Sequence, residues 1–267
     1  MKSRKEKTNE SQPVLPQLGV NIDHLATLRQ LRGTPYPNLL EAVQVIELAG
    51  AHQITVHLRE DRRHIQDDDV RRLRAQSPLK LNFEMAATRE MVAIACDIHP
   101  EMAMLVPEGR QEITTEGGLD VIANRKSLEA SIQKLRKAGI SVSAFIDADL
   151  KQIKAAADLG VQVCEIHTGP YAATFYAQGR QADAPAVAKE IARITKAGEK
   201  IISLGMQFNA GHALNYANVQ PIAALPGVRE LHIGHAIVSR AVMVGMREAV
   251  RDMKRLMREA QAAGRKP

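Results

Sequence analysis

The sequence has no tryptophan and only four phenylalanines and four tyrosines. With so few flat rings it has little on which to stack bases, and nucleic-acid binding through aromatic platforms is not expected. The core must instead be built from Ala, Val, Ile, Leu and Met, a palette suited to helices packed on a sheet. The only two cysteines, Cys96 and Cys164, lie far apart and match neither C-x-x-C nor zinc spacing. One falls in a helical pattern and the other in a strand pattern, so both are expected to be small buried hydrophobes in a reducing cytoplasm. No run of eighteen apolar residues could span a membrane, and MKSRKEKTNESQPVLP has no apolar h-region of a secretory signal. Neither G-x-G-x-x-G nor G-x-x-x-x-G-K-[ST] occurs, and an open nucleotide-binding sheet usually shows one of them.

What is present is balanced: 45% hydrophobic and 25% charged residues over 267 positions, the composition of a globular protein. The formal charge of +6 would suggest a polyanionic partner if it were spread over the fold. Much of it sits at the ends. Lys2, Arg4, Lys5 and Lys7 outweigh Glu6 and Glu10, and Arg258, Arg265 and Lys266 outweigh Glu259. These read as solvated tails. Residues 1–17 are expected to form a disordered leader, and residues 18–267 one domain.

Beyond the leader, short β-like runs alternate with helical patterns. The strand candidates are LGVNID (18–23), QITVHL (53–58), LKLNFEM (79–85), MAMLVP (102–107), SVSAFID (141–147), VCEIHTG (163–169), QFNAG (207–211) and ELHIGH (230–235). Between them LLEAVQVIELAG, TREMVAIACDIH, RKSLEASIQKLRKAG, LKQIKAAADLG and APAVAKEIARITKAG place apolar residues at helical spacing, with terminal glycines suited to C-caps. Eight β-then-α units predict an α/β fold, a single (β/α)8 TIM barrel with extra helices; a doubly wound open sheet is the alternative. The stretch from Pro107 to Asn124 is long for a βα loop and is a candidate lid. From Ala236 to Ala263, Met243, Met246, Val250, Met253, Leu256 and Met257 form an apolar stripe expected in the core or an oligomer interface.

In a parallel barrel, polar residues at the C-terminal ends of strands converge on one face. Those positions hold Asn21, Asp23, His24, Arg29 and Arg32 (strand one), His57, Arg59 and His64 (two) and Glu84 (three). They also hold Glu165, His167 and Thr168 (six), Asn209, Gly211 and His212 (seven), and His232, Gly234 and His235 (eight). Seven of the nine histidines thus lie at or just past strand ends. Glu84 stands in an apolar run, either as a desolvated carboxylate fit for proton transfer or as half of a buried ion pair. No strand candidate ends in Lys, which disfavours an enzyme Schiff base. The start of the helix after HIGH, near Ala236, can present backbone N–H groups to a phosphate. Arg59, His64 and Arg32 supply a second cationic group. Two anion sites suggest two phosphorylated substrates or one bisphosphate. Asp61, Arg62 and Arg63 are expected to be solvated loop, pairing among themselves and with the acidic run Asp67 to Asp69.

Taken in order, LGVNIDHLATLRQLRG, ITVHLREDRRHI, NFEMA, LVPEGRQEITTEGGLD, FIDAD, EIHTGPYA, NAGHALNYANV and HIGHAIVSRAV closely resemble the pyridoxine 5′-phosphate synthases of the deoxyxylulose phosphate-dependent vitamin B6 pathway. The resemblance implies a (β/α)8 barrel, a cytoplasmic homo-oligomer that is typically an octamer, and no cofactor, metal, nucleic acid or membrane. It implies condensation of 1-deoxy-D-xylulose 5-phosphate with 3-amino-2-oxopropyl phosphate, giving pyridoxine 5′-phosphate, phosphate and water. It further implies His57 and Glu84 as general bases, His212 as general acid and Glu165 as transition-state stabiliser. Asn21, Arg32, Gly234 and His235 would hold the aminoketone phosphate; Asp23, His24, Arg59, His64 and Thr114 would hold deoxyxylulose phosphate. Ala213 stands where the family usually has a glycine whose backbone joins the aminoketone phosphate site, and would be strained if its φ is positive.

Two other readings start from the same residues. One is a metal-dependent lyase or hydrolase using Glu84, Glu165, His167, His212 and His235 as ligands, though no H-x-H or H-E-x-x-H pair is present. The other is a catalytically silent barrel that binds phosphorylated metabolites or a partner protein.

Overall fold

A computed structural model describes residues 15–108 and 117–263 of the chain. Residues 1–14 of the expected leader, and the part of the expected lid that includes Thr114, lie outside the described residues. The eight strands are β1 (Gln17–Asn21), β2 (Gln53–His57), β3 (Lys80–Met85), β4 (Met102–Leu105), β5 (Ser141–Ile146), β6 (Val163–His167), β7 (Gln207–Gly211) and β8 (Val228–Ile233). All pair in parallel in sequence order, and β8 returns to β1 to close the barrel. The open-sheet alternative is therefore set aside, and each of the eight expected strands is found.

The helices are α1 (Asp23–Arg32), α2 (Leu39–Leu48), α3 (Asp67–Gln76), α4 (Arg89–Ile98), α5 (Arg125–Lys137), α6 (Leu150–Asp158), α7 (Gly169–Ala177), α8 (Pro185–Ser203), α9 (Val219–Ala223), α10 (His235–Val244) and α11 (Met246–Ala263). Several starts are fixed by side chains that accept from otherwise orphaned N–H groups: Asn38 before α2, Thr88 before α4 and Asp149 before α6. Gly50, Gly139 and Gly160 sit past helix ends at φ of 90°, 77° and 80°, as C-cap glycines should. Gly198 does not: α8 runs through it to Ser203, and its missing side chain makes room for the Phe208 ring.

The strands have two faces with different chemistry. Leu18, Val20, Ile54, Val56, Phe83, Leu105, Val142, Cys164, Ile166, Phe208 and Leu231 join one large core with the helices. The alternate residues face inward, and there a small apolar cluster of Met104, Val106 and Phe145 shares the interior with buried polar groups. Gln53, Thr55, Asn82, Ser143, Glu165, Asn209 and His232 are all buried. Most barrels fill this space with Val, Ile and Leu. Here the strand polarity comes from the interior.

The expected C-terminal helix is two. Gly245, at φ 84°, breaks it, so Met243 is 82% exposed while Val250, Met253 and Met257 are buried in the core. The Met stripe thus divides at the break.

Candidate functional site at the mouth of the barrel

Strand ends bring most of the expected residues to one face. Asp23 opens α1 directly after β1, and its carboxylate is committed internally. Oδ1 accepts from the His57 backbone N–H at 2.8 Å and Oδ2 from Asn21 Nδ2 at 2.9 Å. Asp23 therefore fastens the ends of β1 and β2 together. Gly234 lies against Asn21, and a Cβ there would come within 2.8 Å of the Asn21 Cβ. The His24 and His235 rings stand edge to face, centroids 4.9 Å apart. Asn21, His24, Gly234 and His235 are thus together. Arg32 is elsewhere in α1: it ends the helix, exposed, nine residues or about 14 Å along the axis from Asp23.

At β2 the His57 Nε2 lies 3.4 Å from Glu108 Oε2, an ion-pair distance; neither atom makes a hydrogen bond among the described residues. Arg59 is buried with its Nε 3.9 Å from Glu108. Burial alone would raise the Glu108 pKa, but His57, the Glu60 amide and Arg59 outweigh it and hold it below the usual carboxylate range. His64 stands half-buried with its ring 6.4 Å from that of His57. Its Nδ1 accepts from the Ile65 amide. Arg29 holds this loop from α1, donating to both oxygens of Asp69 at 2.6 Å and to the His64 carbonyl at 3.3 Å. Desolvation, with the neighbouring His57, His24 and Arg59, lowers the His64 pKa.

The remaining loop charges pair as expected, and one reaches further. Arg63 pairs with Asp61 and Arg62 with Asp67, and Arg62, half-buried, also reaches Glu90, tying the loop to α3 and α4. Asp68 and Asp69 turn to Arg72 and Arg29 instead.

Glu84 looks into the barrel from β3, in register with His57. Among the described residues its carboxyl makes no hydrogen bond or ion pair. Desolvation first, then the Asp23 and Glu165 carboxylates, push it well above the ordinary carboxylate value. Deeper in, Glu165 is buried and forms a short contact through Oε2 with His232 Nδ1. His232 Nε2 lies 2.8 Å from Gln53 Nε2 and 3.6 Å from Glu230. Burial would lower the His232 pKa, but Glu165 and Glu230 reverse it and lift it to about 10.

On the far side of the mouth, His212 follows β7 and His167 ends β6, with rings edge to face at 4.9 Å. His167 Nδ1 lies 2.9 Å from Asp147. Desolvation and His167 bring the His212 pKa down to about 4. His212 and Ala213 carry φ of 73° and 59°, so the condition for strain at Ala213 is met. The turn is clamped: Thr168 donates to the Gly211 carbonyl at 2.7 Å and closely to that of His212, and Asn218 donates to the Ala213 carbonyl at 3.1 Å.

Reading strand ends found most of this cluster but passed over β4 and β5, which deliver Glu108 and Asp147 by the same rule. His232 was legible as a strand-end residue, but its partner Glu230 lies too early in β8 to suggest a pair. Thr114 lies outside the described residues. Among the described residues no three His, Cys, Asp or Glu side chains are grouped as metal ligands.

Solved structures resemble the fold across large sequence distances. A 3-keto-L-gulonate-6-phosphate decarboxylase from Vibrio cholerae aligns with a TM-score of 0.62 at 9% identity, over 92% of this chain and 99% of the other. A phosphoribosyl anthranilate isomerase from Thermus thermophilus aligns at 0.55 and 13%, over 91% and 98%. Sequence relatives are far nearer. Pyridoxine 5′-phosphate synthase of Dechloromonas aromatica is 66% identical over 248 residues, 93% of this chain and 99% of the relative. That of Azoarcus sp. is 67% identical over 246, covering 92% and 99%. The family described as pyridoxal phosphate biosynthesis protein PdxJ matches residues 18–259, and with such relatives along nearly its whole length the chain belongs to that family.

Proposed function

We infer that the chain is a pyridoxine 5′-phosphate synthase, condensing 1-deoxy-D-xylulose 5-phosphate with 3-amino-2-oxopropyl phosphate. The observation that carries this is the family match over residues 18–259, with relatives of that name near two-thirds identity. The site is compatible with the chemistry, which is proton transfer around an amine that the substrate itself brings. Glu84, with a raised pKa and no hydrogen bond or ion pair among the described residues, is a stronger base than an ordinary carboxylate. His57, whose Nε2 makes no hydrogen bond among the described residues and lies 3.4 Å from Glu108, is the second base. His212 is uncharged at neutral pH in the empty site. A phosphate dianion bound beside it raises its pKa, so it becomes the acid when the site is loaded. Glu165 stabilises positive charge developing on the condensing amine.

Gly234, His235 and the first N–H groups of α10 take the aminoketone phosphate, with Asn21 and the turn at Ala213 beside them. Arg59, His64 and His24 take deoxyxylulose phosphate, and Asp23 holds the two sets in register. Arg32 and Thr114 complete the binding set in this reading. We place the enzyme in the cytoplasm, where Cys96 and Cys164 stay reduced. We also propose that it assembles as a homo-octamer, in which Leu28 and Leu31 of α1 and Val242 and Met243 of α10, all exposed, are covered by other copies.

Purified protein given both substrates is expected to form pyridoxine 5′-phosphate, followed by its ultraviolet absorbance, with matching release of inorganic phosphate. An inert mixture would overturn the reading.

A further inference from the structure

Behind Glu165 lies a buried charge cluster in which His232 and Glu230 have no part in the chemistry proposed above. His232 sits on β8 between two carboxylates, Glu165 on β6 and Glu230 on the same strand. Around it Gln53, Asn82 and Asn209 fill the remaining directions from β2, β3 and β7, and Asn209 donates to Glu230 at 2.7 Å. Two glycines make the room. A Cβ on Gly19 would strike the His232 ring, and one on Gly211 would strike Glu165 Oε1. The backbone is cut away where this pair lies. Among the described residues, Glu84 feels both Glu165 and His232, and the Asp23 carboxylate acts on it too.

We propose that His232 is a positioning residue for Glu165. It holds Glu165 by Oε2, leaves Oε1 directed over Gly211, and supplies the cation that lets several carboxylates share one buried space. This rests on the proposed use of Glu165 and Glu84 in the reaction. The physical reason is charge balance. Without a cation, Glu165, Glu84 and Glu230 repel one another in a medium of low dielectric, and one or more takes up a proton. A protonated Glu165 cannot stabilise positive charge, and a protonated Glu84 cannot accept a proton. Gln53 Nε2 stands 2.8 Å from His232 Nε2; an imidazolium donates from both nitrogens, so the proposal requires the Gln53 amide, whose two ends are alike in shape, to present its oxygen there instead. The lift of the His232 pKa to about 10 agrees with a cation that persists through the neutral range.

His232→Leu removes both the hydrogen bond and the charge, whereas His232→Asn keeps a donor near the place of Nδ1 and removes only the charge. His232→Leu is expected to lose roughly 10- to 100-fold in kcat with KM for both substrates within about twofold, a partial loss on the scale of acid–base effects. His232→Asn recovers most of kcat but moves the acid limb of the kcat profile up by about half a pH unit or more, because Glu84 loses the cation that favours its ionised form. In uniformly 15N-labelled full-length protein, one imidazolium signal should persist at pH 8.5 and be missing from His232→Asn, a readout that needs no turnover.

Wild-type kcat and acid limb in both variants would overturn the proposal. So would equal losses in both with no shift of the limb, which is the mark of packing alone, or a neutral His232 ring at pH 8.5. The underlying reading fails separately: a Glu165→Gln variant with wild-type turnover would show that Glu165 is not used, whatever His232 does.

Discussion

His212 and Ala213 occupy the left-handed region side by side, where L-residues are disfavoured by roughly 1–2 kcal/mol each. Thr168 and Asn218 hold that conformation, and the result is an imidazole aimed across the mouth from a turn that cannot relax. Ala213→Gly should therefore raise stability by up to about 1 kcal/mol, read as a shift in urea midpoint, while Ala213→Val should lower it by more. Glu84 matters for a different reason. Glu84→Gln keeps the shape and removes the base, so kcat is expected to fall by about 10² to 10⁴ with little change in KM. A fall in KM alone, at unchanged kcat, would place Glu84 outside the chemistry.

Arg29 shows how an element can be spent on holding another. It lies on α1 yet braces the loop of His64 through Asp69, so Arg29→Ala should cost about 2 kcal/mol and raise KM for the deoxyxylulose substrate more than it lowers kcat. Gly198 makes the opposite point about local preference. Alanine is the better helix former, but Gly198→Ala should destabilise by about 1–2 kcal/mol, because the Phe208 ring already occupies the space; chemical denaturation would tell. All eight strands were legible because turn signals and β-rich runs recur with helical patterns between them. The helix break at Gly245 was not: the spacing of Met243, Met246 and Val250 continues smoothly across it, and a single glycine inside a periodic run does not by itself announce a turn. Arg32 and Arg29 show the same limit within one helix. Both follow β1 in sequence, but only contacts distant along the chain decide that Arg29 is a brace.

For the molecule as a whole, the buried ions tie stability to pH. The His232 pKa is raised to about 10, so its contribution is complete below its ordinary value of 6.5 and is lost as pH rises through 10. The Glu230 pKa is brought to about 2, where hydrogen bonds from His232 and Asn209 outweigh its burial; its contribution is complete above 4.5 and is lost as pH falls toward 2. The melting temperature of the wild type should therefore drop between pH 6.5 and 10 more steeply than that of His232→Asn, by differential scanning calorimetry. Equal slopes would mean that the ring is neutral in the folded state. The alternation along the strands has an evolutionary consequence. Every second residue packs against helices and every other one faces the chemistry, so tolerance to substitution should itself alternate with a period of two. Outward changes should lower how much protein accumulates, while inward changes at uncharged non-glycine positions should alter turnover more than accumulation. Such a barrel can acquire a new reaction on one set of letters without rewriting the set that keeps it folded.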